Sequence, residues 1–187
     1  MIRILCLCVS LAFLSVPAMA EESETPPTPE EQIEGLRAQC EKSAEARVAR
    51  QEKKSLYERL GKEEGIHAIT TELIRLHHEN DDIKHIFKGM DDEVAAKKVA
   101  EFMISGIGGP KVYDGPELKV SHADMGLTTA DFLAAGGDMM QAMKNLEYGE
   151  EETEEVVCIL VSLMDQVVFE KSAKIGKKEQ EEAGGWE

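Results

Sequence analysis

Gly108-Gly109-Pro110-Lys111-Val112-Tyr113-Asp114-Gly115-Pro116-Glu117-Leu118-Lys119-Val120-Ser121-His122-Ala123-Asp124-Met125-Gly126-Leu127 interrupts a chain otherwise written in helical periods. Gly108-Gly109-Pro110 breaks a helix sharply, and Asp114, Gly115 and Pro116 are turn formers. Upstream, the text from Asp91 to Ile107 predicts a helix with Ala95, Val99, Phe102 and Met103 on one face. Downstream, Thr128 with Asp131 forms a capping box that opens a second helix, with Phe132, Gly136, Met139 and Met143 facing inward. An irregular segment held between two periodic helices presents side chains to space that regular packing would fill. His122 follows Leu118 by four residues, so both sit on one face of a short helical turn. On pattern alone, a hydrogen-bonded loop histidine remains the plainer reading of His122.

Working outward, every other ordered stretch is helical. Ser55 caps a short helix carrying Leu56 and Leu60, stopped by Gly61. Ile66, Ile69, Leu73 and Leu76 predict an amphipathic helix ending near Asn80. Ile83, Ile86 and Phe87 form an apolar corner closed by Gly89. Glu151 to Glu155 opens a last helix whose core face is Val156, Leu160, Leu163, Met164 and Val167. Before the body, Glu30 to Lys54 reads as a charged helix with a thin stripe of Ile33, Leu36, Cys40, Ala44 and Val48. That helix either packs on the body or serves as a spacer. No strand pair is legible, so the fold class is all-α.

The chain carries 187 residues and a net charge of −16. Such a surface repels phosphate, which argues against nucleic acid and anionic lipid as partners. Residues 1–20 read as a cleaved signal peptide. Arg3 is followed by an apolar run from Ile4 to Val16, too short for a comfortable span, and then by Pro17-Ala18-Met19-Ala20. The mature chain is therefore expected to start near Glu21 and to be periplasmic or secreted, with no membrane contact after cleavage. Residues 21–54 are a Pro-rich acidic linker plus the charged helix, 55–170 the body, and 171–187 a charged tail expected to be disordered. Cys40 and Cys158 survive cleavage into an oxidising space, where a disulfide would tie the leading helix to the last. Their spacing leaves open whether they meet.

Of the remaining histidines, His77 and His78 point to different faces of one helix and read as a partly exposed helix end. His67 reads as surface, and His85 faces either a pocket or solvent. There is no Cys-x-x-Cys-His for covalent haem, no His-Glu-x-x-His or Cys/His set for zinc, no calcium-loop spacing and no nucleophile elbow.

Ser55-Leu56-Tyr57-Glu58-Arg59-Leu60-Gly61, Phe87, Gly108-Gly109-Pro110 with Tyr113 and Gly115, and His122-Ala123-Asp124-Met125-Gly126-Leu127 come in an order and spacing that resembles the group 1 truncated haemoglobins. The resemblance covers Ser55 to Glu170. It implies a globin-like two-over-two helical sandwich, with non-covalent haem b between the helices and His122 as the axial ligand of its iron. It also places Leu118 and Ser121 beneath the haem and Phe87 against its face. Phe102 joins that set, and Val156, Leu160 and Met164 are candidates for an apolar wall.

On the ligand side this chain departs from the family. Ile74 stands where the family keeps a tyrosine, and Val99 where a glutamine is frequent, with Ala95 one turn earlier. Without a donor, a bound polar gas loses electrostatic support. Lys98 falls where some relatives supply a second ligand to iron, but only a deprotonated amine can ligate, and the plainer reading puts Lys98 in solvent. The resemblance therefore implies reversible binding of a diatomic gas (oxygen, carbon monoxide or nitric oxide). Two alternatives are a nitric oxide dioxygenase or other redox haem enzyme served by a reductase, and a haem-free globin fold kept as an interaction module.

Overall fold

The computed structural model of the chain describes residues 26–169. The expected signal peptide, the start of the linker and the charged tail lie outside the described residues. The leading helix is two helices, α1 (Pro29–Lys42) and α2 (Ala44–Lys53). A capping box between Thr28 and Glu31, with Pro29 in the first turn, starts α1. The chain turns at Ser43, where the end of α1 finds other partners: the Arg47 guanidinium donates to the Cys40 carbonyl at 2.7 Å. Ile33 is buried and α1 packs on the last helix, so this segment is part of the body and not a spacer. The stripe fails in α2, where Val48 is exposed and no residue is buried. α2 is held by charge instead, through Arg50 to Glu154 and Glu155.

The body follows the expected order. α3 (Leu56–Arg59) starts on a Ser55–Glu58 capping box, and Gly61 adopts a left-handed φ of 83° before α4 (Lys62–Glu79). Asp91 caps α5 (Asp92–Gly106), and α6 (Leu118–His122) is a single short turn. Thr128 and Asp131 cap α7 (Thr129–Asn145), and α8 (Glu150–Leu163) begins with three glutamates at its positive end. α4 lies on α5, α7 lies on α8, and α4 crosses α7, giving two helix pairs stacked as a sandwich. Leu60, Ile66, Ile69, Ile104 and Met143 meet in its fully buried centre.

The inner face of α5 differs from the one read in the sequence. Ala96, Ala100 and Ile104 are buried in the core, while Val99, Phe102 and Met103 line a cavity. Small alanines let α5 approach α4 closely, and they carry too little hydrophobicity to stand out as a stripe. Met164 is also displaced from its expected place: it is buried near Arg37 of α1 and does not line the cavity.

Two constraints tie α8 to the front of the chain. Cys40 and Cys158 form a disulfide, 118 residues apart in sequence. Nearby, the buried Glu155 carboxylate accepts bonds from Arg59 at 2.7 Å and Arg50 at 3.4 Å. Burial pulls the Arg59 guanidinium down, but its bonds to Glu155 and Glu152 outweigh that and hold it above its usual range. Among the described residues, no helix is long and apolar enough to cross a membrane.

Replacing both cysteines, Cys40→Ser with Cys158→Ala, is expected to lower unfolding free energy by about 4–5 kcal/mol on the chain-entropy estimate for so long a loop. Urea unfolding of the unreduced proteins checks this. Equal midpoints for variant and parent would show that the bridge constrains nothing.

Candidate functional site

The helix break after Ile107 builds one wall of the cavity. Gly108 takes a left-handed φ of 100° and Gly126 one of 63°, bracketing the irregular segment. Within it Tyr113 packs edge-on against Phe102, and its hydroxyl donates to the Pro116 carbonyl at 2.9 Å. A Cβ on Gly115 would sit 2.5 Å from that ring, so only glycine lets the loop close over Tyr113. The folded loop then delivers α6, with His122 at its end.

His122 is half-buried, and its Nδ1 lies 2.8 Å from the Leu118 carbonyl oxygen, one helical turn back. A carbonyl can only accept, so Nδ1 carries the hydrogen and Nε2 keeps the lone pair. This bond fixes both the ring and its tautomer, the arrangement that suits a histidine ligand. His122 is thus a hydrogen-bonded histidine and a well-posed ligand at once, and the two readings that the pattern left open are compatible.

A cavity of about 480 Å³ lies between α5, α6, α7 and α8. A second chamber of about 330 Å³ adjoins it under the apolar corner. His122, Ser121, Lys98 and Val99 line both chambers, which therefore meet at these residues. Leu118 and Phe102 line the larger one, and Phe87 and Ile74 the smaller. All eight residues picked from the sequence are thereby brought to one continuous space. Val156, Leu160, Leu163 and Phe132 complete an almost wholly apolar wall in the larger chamber. His67 and His85 are exposed.

Lys98 contributes its stem only. Its ammonium is turned outward, 3.0 Å from Asp114 and 3.6 Å from Glu101. The Asp114 carboxylate holds the amine above its ordinary value, so it stays protonated and has no lone pair for a metal.

The bacterial-like globin family model matches residues 55–169, well over half of the chain. The chain belongs to the bacterial-like globin family. Two relatives are group 1 truncated hemoglobins. One, from Tetrahymena thermophila, is 28% identical over 92 residues, 49% of this chain and 76% of the relative. The other, from Mycolicibacterium paratuberculosis, is 22% identical over 130 residues, 70% of this chain and 96% of the relative. The crystal structure of truncated hemoglobin from Tetrahymena pyriformis, Fe(III) form, matches with a TM-score of 0.57 at 24% identity. It covers 62% of this chain and 100% of that one. The two-over-two hemoglobin of a Synechococcus, with covalently attached heme, matches with a TM-score of 0.55 at 22% identity, covering 60% and 94%.

In this globin one histidine lies elsewhere than its sequence setting suggests. His77 is not a partly exposed helix end: it is 5% exposed and lines both chambers. Its Nδ1 lies 2.7 Å from the Asp138 carboxylate on α7, and its ring stacks on Phe87 with centroids 4.6 Å apart. Asn80 donates to the other Asp138 oxygen at 2.9 Å. The signal was present in the sequence. Ile66, Thr70, Leu73 and His77 continue one buried face at helical spacing, and only the polarity of the imidazole hid its membership.

Burial holds the His77 imidazole below its ordinary pKa of 6.5, against the opposite pull of Asp138. The unfolded chain then takes up this proton more readily than the folded one, so folding is favoured above that value and weakens as pH falls through it. The titratable groups that act on the ring are Asp138 from α7, which bonds Nδ1, and His78 beside it; Asp131 and Lys98 line the smaller chamber with it, but their charged ends are turned to Thr128 and Asp114. Between pH 8 and pH 5.5 the unfolding free energy is expected to fall. In His77→Phe, which keeps a ring on Phe87, it should fall less steeply. Parallel stability curves from chemical denaturation would count against a buried neutral imidazole.

Proposed function

We propose that this globin holds haem b with its iron ligated by Nε2 of His122, and that it binds a diatomic gas reversibly on the opposite side. The observation that carries this reading is His122 itself, with Nδ1–H committed to Leu118 and Nε2 left for a metal, at the wall of a large apolar cavity. A cavity of about 480 Å³ with almost wholly apolar walls is of the size that small-molecule and cofactor sites occupy. A mostly hydrocarbon macrocycle suits such walls, and its iron, held by His122, would supply the chemistry for binding oxygen, carbon monoxide or nitric oxide.

The chain's own residues do the rest. Leu118 and Ser121 lie on the His122 side, and Phe87 and Phe102 offer rings to the macrocycle faces. Ile74, Ala95 and Val99 keep water out of the gas side without donating a bond to the gas. Lys98 is committed to Asp114, so its amine would not serve as a second ligand to the iron. The disulfide supports export, because such bonds persist in oxidising compartments. An intact mature mass beginning at Glu21 is the expected sign of that cleavage.

His122→Gly should lose the Soret band of the parent, and added imidazole should restore it by standing in for the missing side chain. A variant with a parent-like spectrum and no imidazole would assign the ligand elsewhere. Lys98→Ala should leave the ferrous spectrum unchanged.

Dioxygen is expected to dissociate fast. Ile74→Tyr supplies a donor worth about 1.5–3 kcal/mol, which should slow dioxygen release roughly ten- to hundredfold while carbon monoxide changes little. Stopped-flow dissociation measures both. An unchanged dioxygen rate would place residue 74 away from the gas.

A further inference from the structure

The ligand side of the cavity holds one polar ring that the gas-binding reading does not use. His77 enters from α4 among Leu73, Ile74 and Val99, and it lines both of the chambers that His122 lines. A carboxylate can only accept, so the 2.7 Å contact with Asp138 makes Nδ1 the protonated nitrogen. Among the described residues no hydrogen-bond partner meets Nε2. Asp138 is itself steadied by Asn80, and the ring is clamped by its stack on Phe87. The result is a buried, oriented imidazole with a free lone pair and a carboxylate behind it, which is the arrangement of a general base.

Resting on the haem reading above, we propose that Nε2 of His77 accepts the proton that a weakly acidic ligand gives up on entering this cavity, so that the globin takes protonated ligands as well as neutral gases.

The proton balance is simple. Hydrogen cyanide, the probe acid, arrives as the neutral molecule, because an apolar cavity disfavours entry of the anion. Its proton passes to Nε2, the cyanide anion goes to the iron, and no electron changes hands. His77 becomes an imidazolium whose charge is balanced by Asp138 at 2.7 Å, while Nε2–H turns from acceptor to donor toward the anion it has just produced. The depressed proton affinity of the buried ring keeps it neutral, and so ready to accept, at neutral pH. The other charged groups near the ring are committed elsewhere: Asp131, which lines the smaller chamber, accepts from the Thr128 amide and hydroxyl. Lys98 is protonated and faces Asp114, and His78 bonds Asp92 outside. Asp138 is a positioning residue here: it orients the ring and supports its charge without touching the ligand.

The test compares two ligands on the ferric and ferrous holoprotein. Cyanide must lose a proton to bind, and carbon monoxide has none to lose. In His77→Phe the rate of cyanide association at pH 7 should fall roughly a hundredfold, the usual contribution of a placed base. Carbon monoxide association should stay at the parent value. Asp138→Asn keeps an acceptor for Nδ1 but removes the charge. It should slow cyanide less than His77→Phe does, and shift the pH at which cyanide association rises. If both variants bind carbon monoxide normally and cyanide at the parent rate, His77 is not the base. If the ferric parent is already low-spin and six-coordinate and becomes high-spin in His77→Phe, the ring is an iron ligand, and the proposal fails. A parent protein with no Soret band and no carbon monoxide complex overturns the haem reading and this proposal together.

Discussion

Helices pack to exclude space, and four of them must here keep some between them. An apolar cavity of about 480 Å³ in a single small domain gives up the dispersion contacts that would otherwise line it, so something must hold the walls apart. The holding is done outside the cavity. Ala96 and Ala100 bring α5 tightly onto α4, and Met139, Ala142 and Met143 join α7 to the same core. α8 is then fixed from behind, by Glu155 between Arg59 and Arg50 and by the bridge to Cys40. With the backs of the helices anchored, their fronts need not meet. The irregular segment from Gly108 to Gly126 uses that freedom to set His122 at the edge of the opening.

Much of this was legible in the sequence because it rests on local rules. The Thr128–Asp131 capping box, the cap at Ser55 and the glycines at 61 and 89, which take positive φ, are decisions made within a few residues, and those boundaries are legible in the local sequence. The eight residues expected near the cofactor line one space, because helical periodicity constrains which positions along the chain share a face. The break at Ser43 was missed because Arg47 reaches back to the Cys40 carbonyl, a contact no periodicity encodes.

His77 was missed for a different reason. A histidine beside another histidine near a helix end looks like surface, and its hydrophobic context is diluted by Arg75 and His78 around it. What buries it is Asp138, sixty-one residues further on, which satisfies the ring nitrogen that burial would otherwise strand. Likewise the outward turn of Lys98 depends on Asp114, across the helix break. Polar residues are placed by partners distant in sequence, and apolar ones by their own spacing, so a single sequence gives the core more readily than the chemistry.

The bridge between Cys40 and Cys158 has one more effect: it makes the described chain nearly a closed ring. The exposed corner from Lys88 to Glu93 lies inside that ring and connects α4 to α5. A protease that cuts there does not separate two fragments. Both new ends remain attached to one covalent molecule, with each helix still able to find its neighbour. Loss of one peptide bond in this corner thus becomes a nick and not a dissociation.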